Sequence, residues 1–142
     1  GQNNRTPYSS PIQIPGTTWS SLPQGNPAFS PTPKSSFASK TDGTLWSWGY
    51  NTNGQLGQNN RTPRSSPVQM PGTTWSNIKS NNYTSYATKV DGTLWSWGYN
   101  RYGALGQNDT VSRSSPVQVP GNNWKSITTS NSSAFGIKYL VQ

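Results

Sequence analysis

The ten residues DGTLWSWGYN occupy positions 42–51 and recur, letter for letter, at positions 91–100, which sets a unit of 49 residues. A fixed period of this length constrains the fold more than any single residue, because each unit must be one supersecondary module that buries its faces against its copies. Three copies align on this register. The second runs from Asp42 to Lys89 and the third from Asp91 to Lys138, each reading TLWSWGYN, xxGxLGQN, SSPVQ, PG and a Trp. The first enters midway at Gly1. Its QNNRTPYSSPIQIPGTTW, residues 2–19, repeats QNNRTPRSSPVQMPGTTW at 58–75 with changes only at Tyr8, Ile12 and Ile14.

Four short β segments fit inside each period. WSNIKS (Trp75 to Ser80) and WKSITT (Trp124 to Thr129) read as strand one, and SYATKV (Ser85 to Val90) and AFGIKY (Ala134 to Tyr139) as strand two. Asp42-Gly43 and Asp91-Gly92 signal tight two-residue hairpins into strand three, TLWSWGY, because Gly accepts the positive φ such turns require. A long polar connection then leads to strand four, with Pro67 or Pro116 at its first positions, as an edge strand permits. Twelve Pro and fourteen Gly interrupt the chain too often for helices of ordinary length. Hydrophobic residues make up only 28%, which would suit disorder, but seven Trp and seven Tyr point to a packed aromatic β structure.

Four antiparallel strands per period, with Trp and Gly at fixed offsets, predict an all-β chain built of propeller blades. Alternating Trp46, Trp48 and Tyr50 read as packing between blades. Residues 1–18 would end one blade, 19–70 form a blade with a Pro-rich insert at 23–36, 75–119 form a second, and 124–142 begin a third. The whole is a single partial propeller of eleven strands. The insert follows from spacing, since Trp19 to Asp42 is seven residues longer than Trp75 to Asp91. Its prolines predict an extended loop.

The string DGTLWSWGYNxxGxLGxN, followed by RSSPVQVPG, Trp, Ile and AxK, resembles the regulator of chromosome condensation repeat, with about 2.6 repeats present, in a version like those of prokaryotes and phages. That resemblance implies blades of a seven-bladed propeller. Two positions depart from the family pattern. Asn81 and Ser130 stand where a Gly is usual, and Thr84 and Ser133 where a His is usual. Seven blades at this period would need roughly 340 residues. The resemblance therefore implies either a piece of a longer propeller or a ring completed by further copies of the chain.

Catalysis would need titratable groups that this sequence hardly has: no His, no Cys, no Glu and three Asp. General bases, thiol nucleophiles and soft-metal ligands are missing, and two of the three Asp serve turns. No enzyme activity, metal or small-molecule cofactor is expected. No apolar run reaches the ~20 residues of a membrane span, so no membrane insertion is expected. Function then falls to loops. The net charge of +8 and the basic residues near the long connections single out Arg5, Arg61, Arg64, Arg101, Tyr102 and Arg113 as a binding face. Its partner is expected to be another protein, in an extracellular, cell-surface or virion setting suggested by the Asn-, Ser- and Thr-rich composition. Two alternatives stay open: nucleic acid or chromatin bound by the basic loops, and glycan bound by exposed aromatics.

Overall fold

The computed structural model describes residues 1–6, 9–21, 35–129 and 134–138. Among them it holds ten strands and no helix. β1 (Trp19–Ser21), β2 (Ser35–Lys40), β3 (Leu45–Gly49) and β4 (Arg64–Gln69) form one antiparallel sheet in that order. β5 (Trp75–Ser80), β6 (Thr84–Lys89), β7 (Leu94–Gly98) and β8 (Arg113–Val119) form the second. β9 (Trp124–Thr129) pairs with β10 (Ala134–Lys138) to open a third. Residues 22–34, which hold most of the Pro-rich stretch, lie outside the described residues.

Three expectations shift in the structure. Ser10–Ile14, the fourth-strand segment of the first copy by sequence, is not a strand, since no strand-three edge lies beside it among the described residues. The Asp-Gly hairpins have three-residue loops: Lys40 N–H donates to Thr44 O at 3.0 Å and Gly43 N–H to Lys40 O at 3.1 Å. Gly43, at φ 78°, supplies the left-handed residue that follows such a turn. Asp42 sets the length, because its Oδ1 accepts from both Thr44 N–H (2.9 Å) and Thr44 Oγ1 (2.7 Å). Strand four begins earlier than Pro67. Gly49 pairs with Arg64 while Ser47 pairs with Val68, so a bulge falls between them and the proline sits within it on an outer strand.

The long connection is not a surface loop. It folds back over its own sheet, burying Leu56 and Leu105 completely. Asn51 holds the fold from inside: its amide donates to Asn60 O (3.0 Å) and Thr62 O (3.1 Å), and its Oδ1 accepts from Leu56 N–H (2.9 Å). Asn100 repeats this with Asp109 and Leu105. Ser47 and Ser96 donate to the Leu56 and Leu105 carbonyls. The buried Asn and Ser side chains that hold this connection thus each meet a partner, as burial demands.

The sheets join face to face. Phe37, Leu45 and Met70 of the first unit pack with Trp75, Ile78, Ala87 and Trp97 of the second, and Tyr86 and Leu94 pack with Ile127 of the third. Trp97 is fully buried and donates its indole N–H to Gln55 O at 2.9 Å, where Ser85 Oγ also donates at 3.0 Å. Gly57, at φ 68°, lies beneath the indole, and a Cβ there would stand 2.6 Å from Met70 Cε and 2.9 Å from Trp97 Nε1. The amino-terminal segment mimics this joint. Gly1 lies against Trp48 as Gly57 lies against Trp97, and Asn3 N–H donates to Ser65 O (3.0 Å) as Asn59 N–H donates to Ser114 O (2.8 Å).

At the residue before each strand-one Trp the backbone turns left-handed: Thr18 at φ 63°, Thr74 at φ 65° and Asn123 at φ 60°. A β-branched side chain is strained there, whereas Asn adopts this region readily. Thr74→Asn is expected to raise the unfolding free energy by about 1 kcal/mol, read as a later urea midpoint at unchanged slope.

Candidate functional site

Antiparallel order places the β3–β4 and β7–β8 connections at one end of the sheets, with the β5–β6 turn, and the Asp-Gly hairpins at the other. This separates the cations. Lys40 and Lys89 sit beside the hairpins, where each is caged by two indoles: Lys40 Nζ lies 5.0 Å from the Trp19 ring centre and 4.2 Å from Trp46, and Lys89 Nζ lies 4.8 Å from Trp75 and 4.4 Å from Trp95. Lys138 approaches Trp124 at 4.4 Å. Each cage contributes on the order of 1 kcal/mol and engages a lysine in structure. Of these tryptophans the sequence reading assigns Trp46 to packing between blades; the six-residue step from Lys40 to Trp46, repeated from Lys89 to Trp95, is the signal for the cage.

All five arginines belong to the connection end. Arg5 and Arg64 converge on one cavity of about 530 Å³ between the amino-terminal segment and the end of β3, lined also by Asn4, Trp48, Tyr50 and Ser65. Arg5 is exposed and has no polar partner among the described residues, and Arg64 donates from Nε to Gln58 Oε1 at 3.3 Å. Arg61 is exposed in the next unit, at the place Arg5 holds in the first. Arg101 lies 6.0 Å from the ring of Tyr102, which is 75% exposed and packs edge-on against Tyr99 at 6.3 Å. Tyr83 extends this aromatic row, 6.2 Å from Tyr99. Arg113 is spoken for: its Nη2 pairs with Asp109 Oδ2 at 2.6 Å and its Nη1 donates to Val111 O at 3.2 Å. Four of the six residues singled out from sequence thus form two pairs, Arg5 with Arg64 and Arg101 with Tyr102. Trp48, Tyr50, Tyr83 and Tyr99 were not singled out.

The carboxylates are all held in their charged form. Hydrogen bonds from Thr44 keep Asp42 below its usual 3.8, those from Thr93 do the same for Asp91, and the Val111 N–H, with the Arg113 charge behind it, does so for Asp109. Among the described residues no group of three His, Cys, Asp or Glu could hold a metal ion. No helix among them is long and apolar enough to cross a membrane.

The family model described as the regulator of chromosome condensation (RCC1) repeat matches residues 42–80 and 91–135, more than half of the chain. The chain belongs to the RCC1 repeat family. Its fold is similar to solved propellers of that kind. Human WBSCR16 matches with a TM-score of 0.74 at 19% identity, over 91% of this chain and 33% of that one. Yeast RCC1 (Prp20), solved with Kap60 bound, matches with a TM-score of 0.64 at 21% identity, over 83% and 28%. Saccharomyces cerevisiae Prp20p, in a second crystal structure, matches at 0.60 and 14% identity, over 78% and 27%. The chain thus spans about a third or less of these structures' length. No curated protein sequence matches it. As an RCC1 repeat protein it has four-stranded antiparallel blades, with the long connections of successive repeats gathered at one end.

A group whose folded pKa is depressed stabilises the fold above its unfolded pKa, and that stability is lost as pH falls through the folded value. With all three Asp shifted this way and neither His nor Glu in the chain, urea midpoints are expected to stay flat from about pH 5 to 6.5 and to fall below about pH 4. A midpoint moving between pH 5 and 6.5 would contradict this assignment.

Proposed function

We propose that this chain is part of a non-catalytic propeller that binds another protein with the end where its repeats gather their arginines. The observation that carries the reading is the sorting of charge. Lysines beside the hairpins are caged by indoles, while at the connection end Arg5, Arg61 and Arg101 are exposed among Asn and Tyr side chains. Arg and Tyr are the residue types that anchor protein interfaces, because they offer large contact area and directional donors together. The family's yeast member supports the reading, having been solved with Kap60 bound and described for its binding to Gsp1p and histones. Completion of the ring by further copies, and display on a bacterial or viral surface, are finer readings that composition and strand count suggest.

A second reading rests on the row Tyr83, Tyr99 and Tyr102 with Arg101 at its end. Aromatic rings beside unpaired cations are what single-stranded nucleic acid uses for stacking and phosphate contact.

One experiment separates these readings. Tyr102 and Val90 are equally exposed, at 75% and 74%, and lie at opposite ends of the second sheet. With a photo-cross-linking residue at each position in turn, exposure to source-cell extract is expected to give a discrete adduct from position 102 and none from position 90. The adduct should yield to protease and resist nuclease; the reverse sensitivity selects nucleic acid. Equal labelling from both ends, or none, contradicts the reading.

A further inference from the structure

Comparison of one repeat with the next assigns a ligand to the cavity beside Arg64. In the third unit Asp109 Oδ1 accepts from Val111 N–H (2.8 Å) and from the Asn100 amide (3.1 Å), leaving Oδ2 for Arg113. The second unit builds the same frame around Asn60, whose Oδ1 accepts from Thr62 N–H (3.0 Å) and from the Asn51 amide (3.4 Å). The second atom differs. Asn60 presents a nitrogen, which donates to Gln58 O (2.8 Å), at the place where Asp109 presents an oxygen. A donor cannot receive the Arg64 guanidinium, which is left with one neutral partner, Gln58. Arg5 lines the same cavity and has no polar partner among the described residues, and no carboxylate lines it. Two arginines thus face one concavity with no counter-charge among the described residues, in a protein that elsewhere pairs the equivalent arginine with a carboxylate.

We infer that the cavity lined by Arg5, Arg64, Tyr50, Trp48 and Asn4 is a carboxylate-binding pocket that takes an acidic side chain of the protein partner. The inference rests on the protein-binding reading and supplies the chemistry of the contact. Guanidinium groups match a carboxylate with two parallel donors, and such charge-assisted bonds are stronger than neutral ones. The volume of about 530 Å³ admits a whole side chain with its flanking backbone, and Trp48 and Tyr50 supply an apolar wall for its methylene groups.

The test is calorimetric titration at low salt of the intact chain with a capped hexaglutamate peptide, its hexaglutamine counterpart and a thymidine hexanucleotide. The expected result is binding of hexaglutamate, none of hexaglutamine, and weaker binding of the oligonucleotide. Arg64→Gln and Arg5→Gln should each weaken hexaglutamate binding about tenfold; Arg5 lies outside the sheets, so the second variant serves even where the first unfolds. Asn60→Asp should weaken it comparably, because the new carboxylate would sit four residues before Arg64 as Asp109 sits before Arg113. Arg101→Gln, an equal loss of charge outside the cavity, should change affinity less than about twofold. Equal weakening by Asn60→Asp and Arg101→Gln would show attraction to net charge alone and overturn the pocket. Tighter binding of the oligonucleotide with the same Arg64 dependence would overturn the carboxylate in favour of phosphate. A protein adduct from position 102 that forms undiminished in Arg64→Gln would overturn the pocket's part in partner binding while leaving the protein-binding reading intact.

Discussion

The structure depends on one shared acceptor: the carbonyl oxygen of Gln55, which takes the Trp97 indole N–H at 2.9 Å and the Ser85 hydroxyl at 3.0 Å from the following sheet. Gln55 is fully buried, as are Trp97 and Ser85. A carbonyl held inside without donors would cost more than an ordinary hydrogen bond returns, so these two bonds make the sheets mutually obligatory. Around them the apolar joint closes. Trp97 meets Phe37 at 6.4 Å and Trp75 at 6.1 Å, and its indole edge fills the space left by the missing side chain of Gly57. One blade alone would expose this joint, which is why stacking and not intrinsic strand propensity holds the chain together.

The 49-residue period revealed this architecture before any coordinate, since Trp, Gly and Pro at constant offsets can be satisfied only by a repeated blade. What stayed illegible depended on side chains acting at a distance. Asp42 read as a two-residue turn because sequence shows the Asp-Gly pair and not the double acceptance from Thr44 that lengthens the loop. Pro67 read as a strand start because a register bulge leaves no mark in composition. Asn51, Gln58 and Asn100 looked like loop polarity, whereas they are internal clamps on a connection that turns inward. Arg5 and Arg64 are 59 positions apart in a chain whose repeat is 49, so no single unit contains both; only the docking of the amino-terminal segment on the first sheet brings them to one cavity.

Small differences between copies carry the functional content. The identical DGTLW stretches build identical hairpins, down to the Thr hydroxyl that receives the neighbouring indole N–H in each. The replacement of Asp109 by Asn60 one unit earlier keeps the backbone N–H that the side-chain Oδ1 accepts two residues on, yet it releases an arginine from its ion pair. Likewise Arg101 and Tyr102 stand where the preceding unit has Thr52 and Asn53, which extends the pair Tyr83 and Tyr99 of the second blade into a row. A repeat scaffold thereby varies recognition without disturbing the joint on which its fold rests.

Hydrogen exchange at the tryptophan indoles tests that joint most directly. Trp97 Nε1–H is expected to exchange as slowly as the best-protected backbone amides, because it is freed only when the two sheets part and the fold is lost. Trp46 Nε1–H, bonded to a Thr hydroxyl at the partly open hairpin end, is expected to exchange far faster. Exchange of Trp97 at the Trp46 rate, while core amides stay protected, would show that the sheets part without unfolding and would contradict the account.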